Sequence, residues 1–235
     1  MTDFSSENKQ FIIDCALLCK LAYASETIMR NSWKTILGNR LMECPTYMSC
    51  PMSDAQALGC VYQQDTFKAI VFAFRGTSSL TDAVTDMNFV QVPLTSRYTQ
   101  IPAFTETNAL VHKGFHSQYI GLEKQMIEYI TSALNKNTNI HHIAMIGHSL
   151  GSSIGAIAAA VVKSFPVHNE LDVGLITFGN PRVGNKGFLD FLNKSISWSL
   201  EVKHGRDPII SIIPNIWNYM HPCTIKRQIG RVDPY

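Results

Sequence analysis

The chain has 235 residues, of which 46% are hydrophobic and 16% charged, and its net charge is +2. That much apolar surface suits one packed domain and excludes a disordered chain. There is no run of lysines or arginines to attract nucleic acid, and no apolar segment approaches the roughly 20 residues needed to span a bilayer.

Asp3 and Glu7 come early, and Asp14 and Lys20 interrupt the apolar stretch from Phe11 to Ala24. This is not the pattern of a secretory leader, and the expectation is a cytoplasmic protein. From Lys9 to Ala24, apolar side chains at Ile12, Cys15, Ala16, Cys19 and Ala22/Tyr23 follow a helical period, which places Cys15 and Cys19 on one face as buried thiols. Cys44, Cys50 and Cys60 fall in a stretch that reads as loop, with Pro45 and Pro51 among them. They lack zinc spacing; a bridge would form in an oxidising compartment, and free thiols persist in a reducing one.

Ala69 to Phe74 is a continuous apolar run of β-formers, predicting a strand buried on both faces that ends at Arg75-Gly76-Thr77. Ser117 to Leu134 is an amphipathic helix by its apolar stripe, followed by a polar break over Asn135 to Asn139. A strand from Ile140 to Ile146 runs into Gly147-His148-Ser149-Leu150-Gly151, and a small-residue helix continues to Lys163, with Pro166 just beyond. Val173 to Phe178 predicts another strand, closed by Gly179-Asn180-Pro181, and Ser199 to Lys203 a further one leading to Asp207-Pro208. Strands that alternate with helices and are apolar throughout call for an α/β fold: a mostly parallel central sheet with helices on both faces. No linker or repeat divides the chain, so one domain over 1–235 is expected.

The chemistry centres on Gly147-x-Ser149-x-Gly151. A serine hydroxyl becomes a useful nucleophile when it is exposed, positioned and paired with a base. A sharp strand-to-helix turn holds serine in a strained conformation, and its flanking residues must be tiny because the helix crosses close to the strand. Gly147, Gly151, Ser152, Ser153 and Gly155 meet that demand. The same turn aims the helix N-terminus at the reacting carbonyl, so the Leu150 amide can donate to an oxyanion.

Several ordered motifs besides the elbow resemble the class 3 (fungal-type) lipases, which have the α/β-hydrolase fold. They are Phe74-Arg75-Gly76-Thr77, Val111-His112-Lys113-Gly114-Phe115, Thr177-Phe178-Gly179-Asn180-Pro181-Arg182-Val183-Gly184-Asn185, and Asp207-Pro208-Ile209-Ile210 followed by Ile213-Pro214. The resemblance covers roughly Gly59 to His221. It implies a serine hydrolase acting on acylglycerols or other carboxylic esters, with transient contact at a lipid interface. By position it makes Ser149 the nucleophile, Asp207 the acid that orients the histidine, and Thr77 with Leu150 the oxyanion hole. It also places a short lid at Leu80-Thr81-Asp82-Ala83-Val84, where Ala83 stands in place of the frequent tryptophan. That departure favours a smaller or more soluble ester.

The triad needs an imidazole, and in this fold the chain order is Ser, acid, His. His221 is the only histidine after Asp207, yet Tyr219-Met220-His221 resembles a segment preceding the family's catalytic histidine, and Trp217-Asn218-Tyr219 reads as flexible. Three readings stay open: a truncated product, a recruited His221, or a fold that keeps a lipid-like pocket without turnover. The other histidines have plainer roles. His112 and His116 flank Gly114 without a third metal ligand, His148 belongs structurally to the elbow, and His168 sits in a polar loop. No phosphate-binding or dinucleotide motif is present, and the proposed chemistry needs no cofactor.

Overall fold

The structure is a computed structural model that describes residues 6–77, 89–101, 106–137, 139–168, 170–203, 219–220 and 226–228. Its helices are α1 (Ser6–Leu21), α2 (Glu26–Leu37), α3 (Lys113–Lys136), α4 (Leu150–Lys163) and α5 (Lys186–Ser195). Its strands are β1 (Thr46–Cys50), β2 (Ala55–Gln64), β3 (Phe67–Phe74), β4 (Gln91–Pro93), β5 (Leu110–His112), β6 (His142–His148), β7 (Asp172–Phe178), β8 (Trp198–Lys203) and β9 (Lys226–Gln228).

Seven of these strands form one sheet in the order β1-β2-β3-β6-β7-β8-β9, while β4 and β5 form a separate antiparallel pair. From β3 to β9 the neighbours run parallel, and β1, β2 and β3 are joined antiparallel. Side-chain alternation divides the core into two layers. Ile70, Phe72 and Phe74 of β3 pack with α3, α4 and α5, whereas Ala69, Val71 and Ala73 pack with α1 and α2. This is the doubly covered, mostly parallel sheet that the apolar strands call for.

The predicted elements are all present, with shifted ends. α1 stops at Leu21, three residues early, because Ser25 caps α2 and takes the Ile28 amide on its hydroxyl. β6 runs to His148 rather than Ile146, since Gly147 and His148 stay in register with Thr177 and Phe178. α3 extends two residues into the predicted break, to Lys136, where the Asn137 side chain and amide both donate to the Ala133 carbonyl.

The cysteine stretch is not loop. Cys50 ends β1 and Cys60 lies within β2, with Pro45 and Pro51 flanking the edge strand instead of interrupting it. Cys60 packs in the α1 layer and Cys50 against the α3 layer, on opposite faces of the sheet. The five cysteines among the described residues are free thiols. Burial raises the pKa of Cys15, Cys19 and Cys60.

His168 lies between elements, as expected, and packs inward. It is buried in the 3-10 turn Pro166–His168, with Nδ1 3.0 Å from the Val162 carbonyl oxygen, because the turn folds back onto α4.

Candidate active site

Ser149 joins β6 to α4 at φ 56° and ψ −131°, a left-handed conformation that non-glycine residues rarely adopt. Such strain persists only where the surroundings over-determine it. Here the Ser149 amide donates to the Phe178 carbonyl at 2.9 Å, and the Ser149 carbonyl accepts from the Ser152 amide at 2.9 Å. The Ser152 hydroxyl donates to the Gly147 carbonyl at 2.7 Å, stitching the turn across its base.

The glycines are required by contact. A Cβ at Gly147 would strike the Gly151 carbonyl and lie 2.5 Å from the Ser152 nitrogen. One at Gly151 would strike the Phe74 carbonyl oxygen and lie 2.9 Å from the Gly76 nitrogen. The elbow is thus pressed against the end of β3, where Arg75-Gly76-Thr77 begins. Arg75 is fixed there by the Gln56 and Asp54 side chains at 2.7 and 2.9 Å.

As the first residue of α4, Leu150 carries an amide with no intrahelical acceptor, at the positive end of the helix dipole. Thr77, half-buried, borders a cavity of about 720 Å³ whose walls include Cys19, Tyr23, His148 and Phe178. His148 and Phe178 end β6 and β7, so this cavity opens at the carboxyl ends of the parallel strands, where α/β sheets hold their ligands.

One expectation fails. The elbow should expose its nucleophile, yet Ser149 is fully buried and its Oγ makes no hydrogen bond to a described residue. The loop after β3 lies across the turn: a Cβ at Gly76 would sit 3.3 Å from Ser149 Cβ.

The remaining site expectations divide. Asp207, His221 and the lid residues Leu80, Thr81, Asp82, Ala83 and Val84 lie outside the described residues. Tyr219 and Met220 are described and are held in place, while Trp217 and Asn218 of the segment read as flexible lie outside the described residues. Tyr219 is fully buried with its hydroxyl donating to the Phe89 carbonyl, and Met220 forms a β-bridge to Gly184.

Two features escaped sequence reasoning. Tyr23, in the turn after α1, places its hydroxyl 2.9 Å from His148 Nδ1, a contact across 125 positions with no local signal. Asn185, closing the motif after β7, caps α5 through Phe188 N and also takes the Leu110 amide on the same oxygen. His112, in turn, is the N-cap of α3, accepting the Gly114 amide at 3.1 Å.

Residues 71–217, more than half of the chain, match the profile of the lipases of class 3. The chain belongs to the class 3 lipase family. Among its relatives is a secreted mono- and diacylglycerol lipase of Malassezia globosa, 32% identical over 168 residues, which cover 69% of this chain and 52% of that protein. A secreted mono- and diacylglycerol lipase of Fusarium solani is 28% identical over 156 residues, covering 66% and 42% of the two chains. This family member therefore spans about half or less of the length of those relatives. Lipase II from Rhizopus niveus superposes with a TM-score of 0.78 at 21% identity, over 96% of this chain and 82% of that one. The fold is that of the fungal lipases, the α/β-hydrolase fold.

The relatives correct one expectation. Both mono- and diacylglycerol lipases are secreted by name, and this overturns the cytoplasmic location inferred from the N-terminal residues. Among the described residues no helix is long and apolar enough to cross a membrane.

Proposed function

We propose that this protein hydrolyses carboxylic esters of lipids, acylglycerols foremost, outside the cell, through an acyl-enzyme on Ser149 and within a single domain over 1–235. The observation that carries this reading is Ser149 at φ 56°, heading α4 and pressed against the loop that bears Thr77. A side chain is held in that conformation, with a free-ended amide beside it, where a reacting carbonyl is to be received.

In the proposed cycle Ser149 Oγ attacks the ester carbonyl and its proton passes to an imidazole. The Thr77 and Leu150 amides receive the negative charge of the tetrahedral oxyanion. The imidazole returns the proton to the departing alcohol, and water then attacks the acyl-enzyme by the same route, releasing the acid and restoring the serine. Asp207 orients the imidazole, and His221, which follows it in the Ser, acid, His order of this fold, is the histidine proposed to supply it. Because Ser149 is buried in the described conformation, the carbonyl reaches it only after an opening, for which Leu80 to Val84 is the proposed lid.

A fluorophosphonate probe tests the reading directly. It should label the folded protein at Ser149 and lose the label in Ser149→Ala, with p-nitrophenyl ester turnover lost in parallel. A well-folded protein that takes no label would point to a lipid-binding relative without turnover. His221→Ala in a folded protein should remove nearly all turnover; unchanged rates would end that assignment of the base. Comparing emulsified diacylglycerol with triacylglycerol then sets the substrate class.

A further inference from the structure

The phenol of Tyr23 sits where three parts of the site meet. A Cβ at Gly76 would collide with Tyr23 Oη, lie 2.6 Å from the His148 carbonyl oxygen, and come 3.3 Å from Ser149 Cβ. Position 76 is thus enclosed by Tyr23 on one side and the elbow on the other. Tyr23 Oη also lies 2.9 Å from His148 Nδ1, with the two rings edge to face at 5.9 Å.

The tyrosine stands on a rigid base. The turn after α1 is closed by Ala22 N–H to Leu18 O at 2.9 Å, Tyr23 N–H to Lys20 O at 3.2 Å and Ala24 N–H to Leu21 O at 3.0 Å. Leu21 and Ala22, which lead into Tyr23, are buried in the α1 layer. Burial raises the Tyr23 pKa, and a hydrogen bond to the Gly76 backbone opposes the rise. The hydroxyl therefore accepts from the Gly76 amide and is also hydrogen-bonded to His148 Nδ1. An oxyanion donor is effective only when its direction is set before the charge develops, and Gly76 is the residue immediately before Thr77.

We propose that Tyr23 is a positioning residue of the oxyanion hole, its hydroxyl pinning the Gly76 backbone against the elbow so that the Thr77 amide keeps its aim. The inference rests on the reading of Thr77 and Leu150 as oxyanion donors. Tyr23→Phe removes one oxygen and keeps the ring that packs beside His148. Removing an oxyanion donor outright lowers kcat by about 100- to 1,000-fold, and loosening one should lower it by roughly 10-fold. The expected result for Tyr23→Phe is that loss in kcat, an unchanged KM for a p-nitrophenyl ester, and a matching loss of affinity for an alkylboronic acid, which mimics the tetrahedral intermediate. Amide hydrogen exchange at Gly76 and Thr77 should accelerate at the same time. A variant that merely folds less well would lose active sites without weakening boronate binding at those remaining. Unchanged kcat and boronate affinity in the folded variant would overturn the proposal. If the wild-type protein neither turns over esters nor labels at Ser149, the hydrolase reading is what has failed. Exchange then decides the pin alone: faster exchange at Gly76 supports it, and unchanged protection refutes it.

Discussion

The backbone of Gly151 lies directly against the carbonyl oxygen of Phe74, leaving no room for a side chain between the first turn of α4 and the end of β3. That contact sets the distance between the elbow and the loop bearing Thr77. Gly151→Ala should therefore destabilise the protein by about 2 kcal/mol or more, as overpacking does, and abolish fluorophosphonate labelling in whatever fraction still folds. Thermal denaturation and labelling of the same sample check both outcomes; a full wild-type melting temperature would show that the helix can retreat.

Ser149 is an unusual residue for stability. Its hydroxyl is buried without a hydrogen bond to a described residue. Ser149→Ala removes that group and should raise stability by about 1 kcal/mol while ending turnover. Denaturant midpoints compared at constant slope measure this, and a destabilised variant would mean that Oγ is satisfied in the native state.

Asn185 makes three hydrogen bonds through one amide group. Its oxygen accepts from Phe188 N at 2.9 Å and Leu110 N at 3.0 Å, and its nitrogen donates to Asn108 O at 2.8 Å. Asn185→Ala should cost about 2 kcal/mol, and Asn185→Asp less, since it keeps both acceptor bonds. Equal losses in the two variants would place the energy in the Asn108 contact.

His168 ties stability to pH. Burial depresses its pKa below the ordinary 6.5, while the Val162 carbonyl partly restores it. The unfolded chain then binds the proton first as pH falls, so this contribution is whole above about 6.5 and is lost as pH drops through the folded value. The melting temperature of the wild-type protein should fall more between about pH 7.5 and pH 5.5 than that of His168→Gln. Identical pH profiles would refute the linkage.

Much of this arrangement was legible along the chain. Apolar runs at Ala69 to Phe74 and Val173 to Phe178 mark buried parallel strands because such strands meet helices on both faces. The elbow was legible too, since close backbone contact admits only glycine at 147 and 151. The hairpin of β1 and β2 was obscured by Pro45 and Pro51, which sit at strand ends where the missing N–H costs no ladder bond. Which way His168 faces was not legible, because a short polar segment carries no periodicity to reveal that it folds inward.

Local order along the chain determined the strand–turn–helix unit, the identity of its serine and the family it belongs to, since those depend on residues adjacent in sequence. Tertiary structure alone decided that Tyr23 reaches His148, that Asn185 bonds Asn108 and Leu110, and that Ser149 is covered. Each of these joins residues far apart in the chain, brought together only when both faces of the sheet are packed, and no local pattern encodes such a meeting.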